Sequence, residues 1–191
     1  MPRRTFDHFD LLAPWYDHAV HAPASDTLQA LVGQAPRRVL DVGGGTGRVS
    51  AALLTPDRQV VLADTSLKML QHAQAPDRLR RAGAAAEQLP FATGSFDCVL
   101  MVDALHHVHH QSLSLQEMWR VVAPGGRLLV EEPDIDRFPV KLVALAEKLA
   151  RMRSHFLRGE EVAAHLARLG AQPRVERLDH TLWVIADKPR D

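Results

Sequence analysis

The chain has one cysteine, one tyrosine and only 5% aromatic residues, and its charges cancel: 23 Lys and Arg stand against 23 Asp and Glu in 191 residues. A lone Cys98 excludes an intrachain disulfide, and its place in an apolar run makes it a small buried hydrophobe suited to a reducing cytoplasm. A net charge of zero with no long basic run argues against nucleic-acid binding driven by charge. No stretch approaches the roughly 18 apolar residues of a membrane span, and Met1-Pro2-Arg3-Arg4 leads into polar sequence rather than an apolar signal core. The expectation is a cytoplasmic protein without membrane insertion. Nothing in the sequence sets its oligomeric state.

What is present is an alternation of short apolar runs with helix-length segments, the pattern of an α/β domain. The runs predict strands at Arg37–Val42, Gln59–Asp64, Arg81–Ala85, Asp97–Asp103 and Arg127–Glu132. The fourth is almost continuously apolar, as in a parallel strand covered on both faces. Helices are expected over Ser66–Ala73, across the Leu115, Met118, Trp119 and Val122 face with a stop at Pro124-Gly125-Gly126, over Pro139–Met152, and over Glu160–Leu169 with Gly170 ending it. Arg174–Leu178 and Thr181–Asp187 are joined by only Asp179-His180, a link so short that it requires an antiparallel hairpin. A single domain over 1–191 is expected, with residues 1–35 as a helical cover and 36–191 as the α/β core.

The strongest local signal is Val39-Leu40-Asp41-Val42-Gly43-Gly44-Gly45-Thr46-Gly47-Arg48-Val49-Ser50, a strand running into four glycines and then a helix. Missing side chains let a ligand lie against the backbone. The dinucleotide fingerprint G-x-G-x-x-G fails in both registers, because Arg48 or Ser50 occupies the sixth position. Asp41, just before the loop, would repel a pyrophosphate and attract a ligand carrying an ammonium and a sulfonium. Asp64 ends the second strand, where a carboxylate can accept from both ribose hydroxyls or can cap the next helix.

Taken with the segments that follow in order, the sequence resembles the class I S-adenosylmethionine-dependent methyltransferases, and more narrowly the branch that includes the ubiquinone and menaquinone biosynthesis methyltransferases. The residues that carry the resemblance are Val39 to Gly47, Asp64, Ala86-Glu87-Gln88-Leu89-Pro90-Phe91, Ser95-Phe96-Asp97, Asp103-Ala104-Leu105-His106-His107, Glu117 to Val130, and Ala13-Pro14-Trp15-Tyr16-Asp17. It implies a Rossmann-like three-layer sandwich around a seven-stranded, mostly parallel sheet. It implies S-adenosylmethionine as cofactor, with Gly43, Gly45 and Gly47 on its methionyl part and Asp64 on the ribose. Thr65 belongs to the same cofactor site, Met69 and Ala86 flank the adenine beside Glu87, Asp103 lies beneath the methionyl group, and Tyr16 closes over it. Where the family often has an acid that accepts from the adenine amine, this sequence has Ala85.

The expected reaction is methyl transfer to a small, apolar or aromatic acceptor. Of the 11 histidines, His106 and His107 are placed to serve as a general base, ordinarily titrating near neutrality. Without further cysteines, no metal site is expected from the neighbouring His109 and His110. Two other classes stay open: a protein that holds S-adenosylmethionine without turning it over, and an NAD-dependent oxidoreductase. Phe6, Phe9, Leu11, Leu12 and Trp15 suit a mobile cover over an apolar acceptor, with Phe138 beside it.

Overall fold

Seven strands pair into one sheet in the order β3-β2-β1-β4-β5-β7-β6. They are β1 (Arg38–Val42), β2 (Gln59–Asp64), β3 (Leu79–Gly83), β4 (Phe96–Val102), β5 (Val122–Pro133), β6 (Pro173–Leu178) and β7 (Thr181–Asp187). The computed structural model describes residues 25–73, 79–137, 140, 155–178 and 180–190. Apart from Val140, the expected helix over Pro139–Met152 lies outside the described residues, as do Phe138 and the cover as far as residue 24, with Tyr16 and its aromatic neighbours.

β1 to β5 run parallel, and β7 lies antiparallel between β5 and β6. The two-residue link does form a hairpin, with Leu178 paired to Thr181. Alternate residues of each central strand feed opposite faces. Val99 and Met101 enter one apolar cluster with Leu115, Met118, Val162 and Leu166, whereas Cys98 and Leu100 enter another with Leu28, Val49, Leu53 and Leu70. The first face is covered by α4 (Gln111–Val121) and α5 (Gly159–Arg168). The second is covered by α1 (Ser25–Val32), α2 (Arg48–Leu53) and α3 (Leu67–His72). The result is the three-layer arrangement expected from the sequence.

Several boundaries shift from expectation, two of them for reasons the packing makes plain. β3 begins at Leu79, two residues early, because Leu79 is the side chain of that strand that packs into the core, paired with Val60. Pro124-Gly125-Gly126 does not end the helix. α4 ends at Val121, and the three residues sit inside β5 as an irregularity, where pairing with β4 jumps from Phe96–Val122 to Cys98–Arg127. A side chain at Gly126 would strike the Asp97 carbonyl at 2.8 Å, so close strand approach demands glycine there.

Arg58 is only 1% exposed and ties three elements together. It donates to the carbonyls of Gly33 beyond α1, Pro36 before β1 and Leu53 at the end of α2, and to Gln29 Oε1 on α1. Arg58→Met keeps the apolar stem but strands these buried acceptors. Its urea midpoint is expected to fall by an amount worth at least about 2 kcal/mol. A midpoint equal to wild type would show that the carbonyls find other donors.

Candidate active site

Parallel strands bring their C-terminal ends to one side of the sheet, and the ends of β1, β2 and β4 open into a cavity of about 280 Å³. β1 and β4 are neighbours from which the chain proceeds in opposite directions across the sheet, the point where such sheets form a crevice. One wall is the glycine loop. Gly43 holds a left-handed φ of 71° and donates to the Ala63 carbonyl at 2.7 Å. A Cβ on Gly44 would collide with the Leu62 side chain and with Asp41 Oδ2, so the loop can press onto the sheet only without one.

Asp64 organises the second wall. Its Oδ2 accepts from Gly45 N–H at 2.9 Å and its Oδ1 from Ser66 N–H at 2.7 Å. Ser66 Oγ in turn accepts from Met69 N–H and caps α3. The carboxylate therefore fixes the glycine loop against the start of α3. Thr65, Met69, Ala84, Ala86 and Glu87 continue this side, and Glu87 Oε1 accepts from His110 N–H at 3.1 Å.

At the end of β4 the chain turns sharply. Asp103 has φ 52°, the one non-glycine residue among those described with a positive φ, and its N–H donates to the Glu131 carbonyl. Aspartate tolerates this conformation better than most residues, and such outliers gather at functional sites. The following turn, Leu105–His107, is held by Glu132. Its Oε1 accepts from Leu105 N–H and its Oε2 meets His106 Nδ1, both at 2.7 Å. Phe156 stacks on His106 at 4.4 Å, and Gln111 Nε2 donates to the carbonyls of both Leu105 and His155. His106 is thus buried behind the wall, while His107, 3.9 Å away ring to ring, lines the cavity with His109.

Acids dominate the lining: Asp41, Asp64, Glu87 and Asp103 against the single guanidinium of Arg48. Burial pushes the Asp41 carboxyl up to about 6, with a Ser50 hydrogen bond opposing and the Asp64 charge adding. Burial, then Asp103 and Glu132, push Glu131 up to about 8, so it stays protonated at neutral pH. Burial pulls His107 down to about 3, and the adjacent His106 opposes its charging further.

Most residues singled out in the sequence meet here: Asp41, Gly43, Gly45, Asp64, Thr65, Met69, Ala86, Glu87, Asp103 and His107 all line the cavity. Gly47 instead starts α2 with φ 79° and faces Leu62, Ala73 and Leu79. Sequence reasoning passed over Arg48, Ser66, Glu131 and Glu132. Two consecutive acids ending an apolar strand were a readable signal for the last pair. Among the described residues no cluster of three or more His, Cys, Asp or Glu could hold a metal.

Residues 40–130 match the sequence family described as "Methyltransferase domain". The chain is 43% identical over 111 residues to the ubiquinone/menaquinone biosynthesis C-methyltransferase UbiE of Pseudomonas putida, a match covering 52% of this chain and 43% of that one. The corresponding Pseudomonas fluorescens protein is 44% identical over 107 residues, covering 50% and 41%. The chain thus spans less than half the length of the curated relatives it matches. A Haloferax volcanii methyltransferase solved in complex with the Trm112 activator aligns with a TM-score of 0.84 at 18% identity, covering 97% of this chain and 100% of that one. The 1,6-didemethyltoxoflavin-N1-methyltransferase of Burkholderia thailandensis, solved with its substrate and S-adenosylhomocysteine, aligns with a TM-score of 0.70 at 24% identity, covering 92% and 81%. Both share the fold.

The depressed His107 has a consequence for stability. The unfolded ring takes a proton near pH 6.5 and the folded one only near pH 3. Its contribution is complete above about 6.5 and is lost as pH falls toward 3, at up to about 1.4 kcal/mol per pH unit. Denaturant titrations across that window should show a shallower acid loss for His107→Asn than for wild type. Parallel curves would place the wild-type ring in contact with water.

Proposed function

With a methyltransferase domain over residues 40–130 as the premise, we propose that the protein transfers a methyl group from S-adenosylmethionine to a small, apolar or aromatic acceptor. The observation that carries this reading is the acid-rich, glycine-walled cavity at the junction of β1 and β4. Its carboxylates suit a cationic ligand and disfavour a pyrophosphate. Asp41 Oδ1, buried without a hydrogen-bond partner among the described residues, is an acceptor that such a ligand can satisfy. The cofactor, when bound, supplies a methyl group on a sulfonium already activated for in-line displacement.

The chain's own residues then have positioning tasks. Asp64 holds the ribose hydroxyls while tying Gly45 to Ser66. Ala86, Met69 and Glu87 form the adenine side, and Gly43 and Gly45 let the ligand approach the backbone. His107 meets the acceptor as a neutral ring and takes a hydrogen bond from its hydroxyl, and Glu132 fixes that ring by locking the 105–107 turn. His106 acts through this lock rather than on the acceptor. Orientation and exclusion of water supply most of the rate. The names of the curated relatives make a demethylated quinol the first acceptor to test.

Calorimetry should find S-adenosylhomocysteine binding and no NAD binding; the reverse result would sink the reading. Asp64→Ala should weaken S-adenosylhomocysteine by about 1.5–3 kcal/mol and also lower the urea midpoint, because two loop amides lose their acceptor. Unchanged affinity in the folded variant would leave Asp64 with a purely structural role.

With a quinol as acceptor, His107→Gln should lower kcat by roughly 10-fold, the loss expected of one neutral hydrogen bond that orients the acceptor. The wild-type rate should carry no His107 titration between pH 5 and 8, since the ring is already neutral there. A rise centred near 6.5 that disappears in His107→Gln would show an ordinary, water-exposed histidine.

A further inference from the structure

Glu131 is a buried acid to which the transfer gives no task. It follows Val130 on β5 and is only 4% exposed. Side chains alternate across a strand, so it points away from Glu132 and the 105–107 turn that Glu132 holds. Like charges reach it from Asp103, at the turn after β4, and from Glu132 beside it, and an opposite charge from Arg48 at the start of α2. Asp103 and Arg48 both line the cavity, and Asp103 N–H donates to the Glu131 carbonyl at 3.1 Å. A charge placed in the cavity therefore acts on Glu131 without touching it. Thr181, which opens β7, gives the carboxyl a partner in either protonation state. A hydroxyl has one hydrogen. With that hydrogen on the Leu178 carbonyl at 3.2 Å, Thr181 Oγ meets Glu131 as an acceptor, and the carboxyl supplies the proton. Once ionised, Glu131 can accept the Thr181 hydrogen instead. Burial and then the two neighbouring acids favour the protonated state, pushing the group up to about 8.

We propose that Glu131 is the residue by which the site distinguishes a sulfonium donor from its neutral thioether product: the carboxyl gives a proton to water when the cation is bound and takes one back when the thioether remains. The proposal rests on the S-adenosylmethionine reading. In the transfer, the methyl–sulfur bond breaks with its electron pair staying on sulfur. An electron pair of the acceptor makes the new bond, and the acceptor's proton leaves to water. One positive charge thus disappears from the ligand, while its amino-acid and adenosine parts are unchanged. With the cation gone, Asp103, Glu131 and Glu132 again crowd one another, and Glu131 is the member that reprotonates. Ionised Glu131 favours the donor and is indifferent to the product. The donor's advantage therefore grows as pH rises through the Glu131 titration and levels off above it.

Calorimetry with S-adenosylmethionine and S-adenosylhomocysteine, on wild type and Glu131→Gln at about pH 6.5 and about pH 8.5, tests this. Glutamine copies the shape of the protonated carboxyl and cannot ionise, and comparing the two proteins cancels the titrations of Asp41 and of the ligands themselves. Both proteins should bind the donor alike at the lower pH. At the higher pH wild type should bind it roughly 3- to 10-fold more tightly, the effect of up to about one unit of change in a single pKa. S-adenosylhomocysteine should bind the two proteins equally at either pH. If Glu131→Gln does not fold, infrared difference spectra of wild type near neutral pH serve instead: the donor should remove a protonated carboxyl band and the product should not. Donor affinity that is equal in the two proteins at both pH values, a gain shared by donor and product, or an unchanged carboxyl band would overturn the role of Glu131 while leaving the cofactor reading intact. Wild-type protein that binds neither ligand would overturn both.

Discussion

Everything at the ligand end follows from the point where the sheet changes its direction of growth. From β1 the chain adds β2 and then β3 on one side, and β4 and then β5 on the other. The connections after β1 and β4 must therefore diverge, because α2 and α3 pack on one face and α4 on the other. Two adjacent strands whose following helices leave on opposite faces cannot close the space between their ends. The glycine loop and the Asp103 turn are its two rims.

A chain with no net charge builds a strongly polarised site by sorting its charges. Many basic side chains pair at the surface, as Arg174 and Arg127 do with Asp187, and Arg177 with Glu160. Carboxylates collect at the C-terminal ends of β1, β2, β4 and β5. Such crowding is tolerable because not all of them are charged at once. Glu131 holds its proton at neutral pH, and Asp41 titrates close to it. A cation entering the cavity would draw both toward ionisation, so ligand charge and bound protons exchange within one small volume.

The layers and the rims were legible in the sequence for different reasons. β2 and β7 keep their expected limits because apolar periodicity and turn residues agree at both ends. The glycine loop was legible because four glycines in five residues have few other uses. β3 was displaced because Ala84 and Ala85 look as strand-like as the arginines before them, and only the Leu79 contact decides the register. Pro124-Gly125-Gly126 misled because the same residues that end helices also allow a strand to bulge. His106 and His107 are adjacent and chemically identical in sequence. Only Glu132, 26 residues from His106 along the chain, draws one behind the wall and leaves the other in front. Arg48 gave no signal, since an arginine opening a helix is ordinary until the acids around it are seen.

Gly43 and Ala104 touch across the crevice so closely that a Cβ on Gly43 would lie 2.9 Å from the Ala104 methyl. One belongs to the glycine loop, the other to the turn that leads into His106 and His107. Packed rims of this kind do not yield independently. A displacement of the first rim by even a fraction of a methyl radius is carried into the second, through Ala104 to the 105–107 turn. The two rims are therefore geared to each other by contact, and a ligand that filled one would set the shape offered by the other.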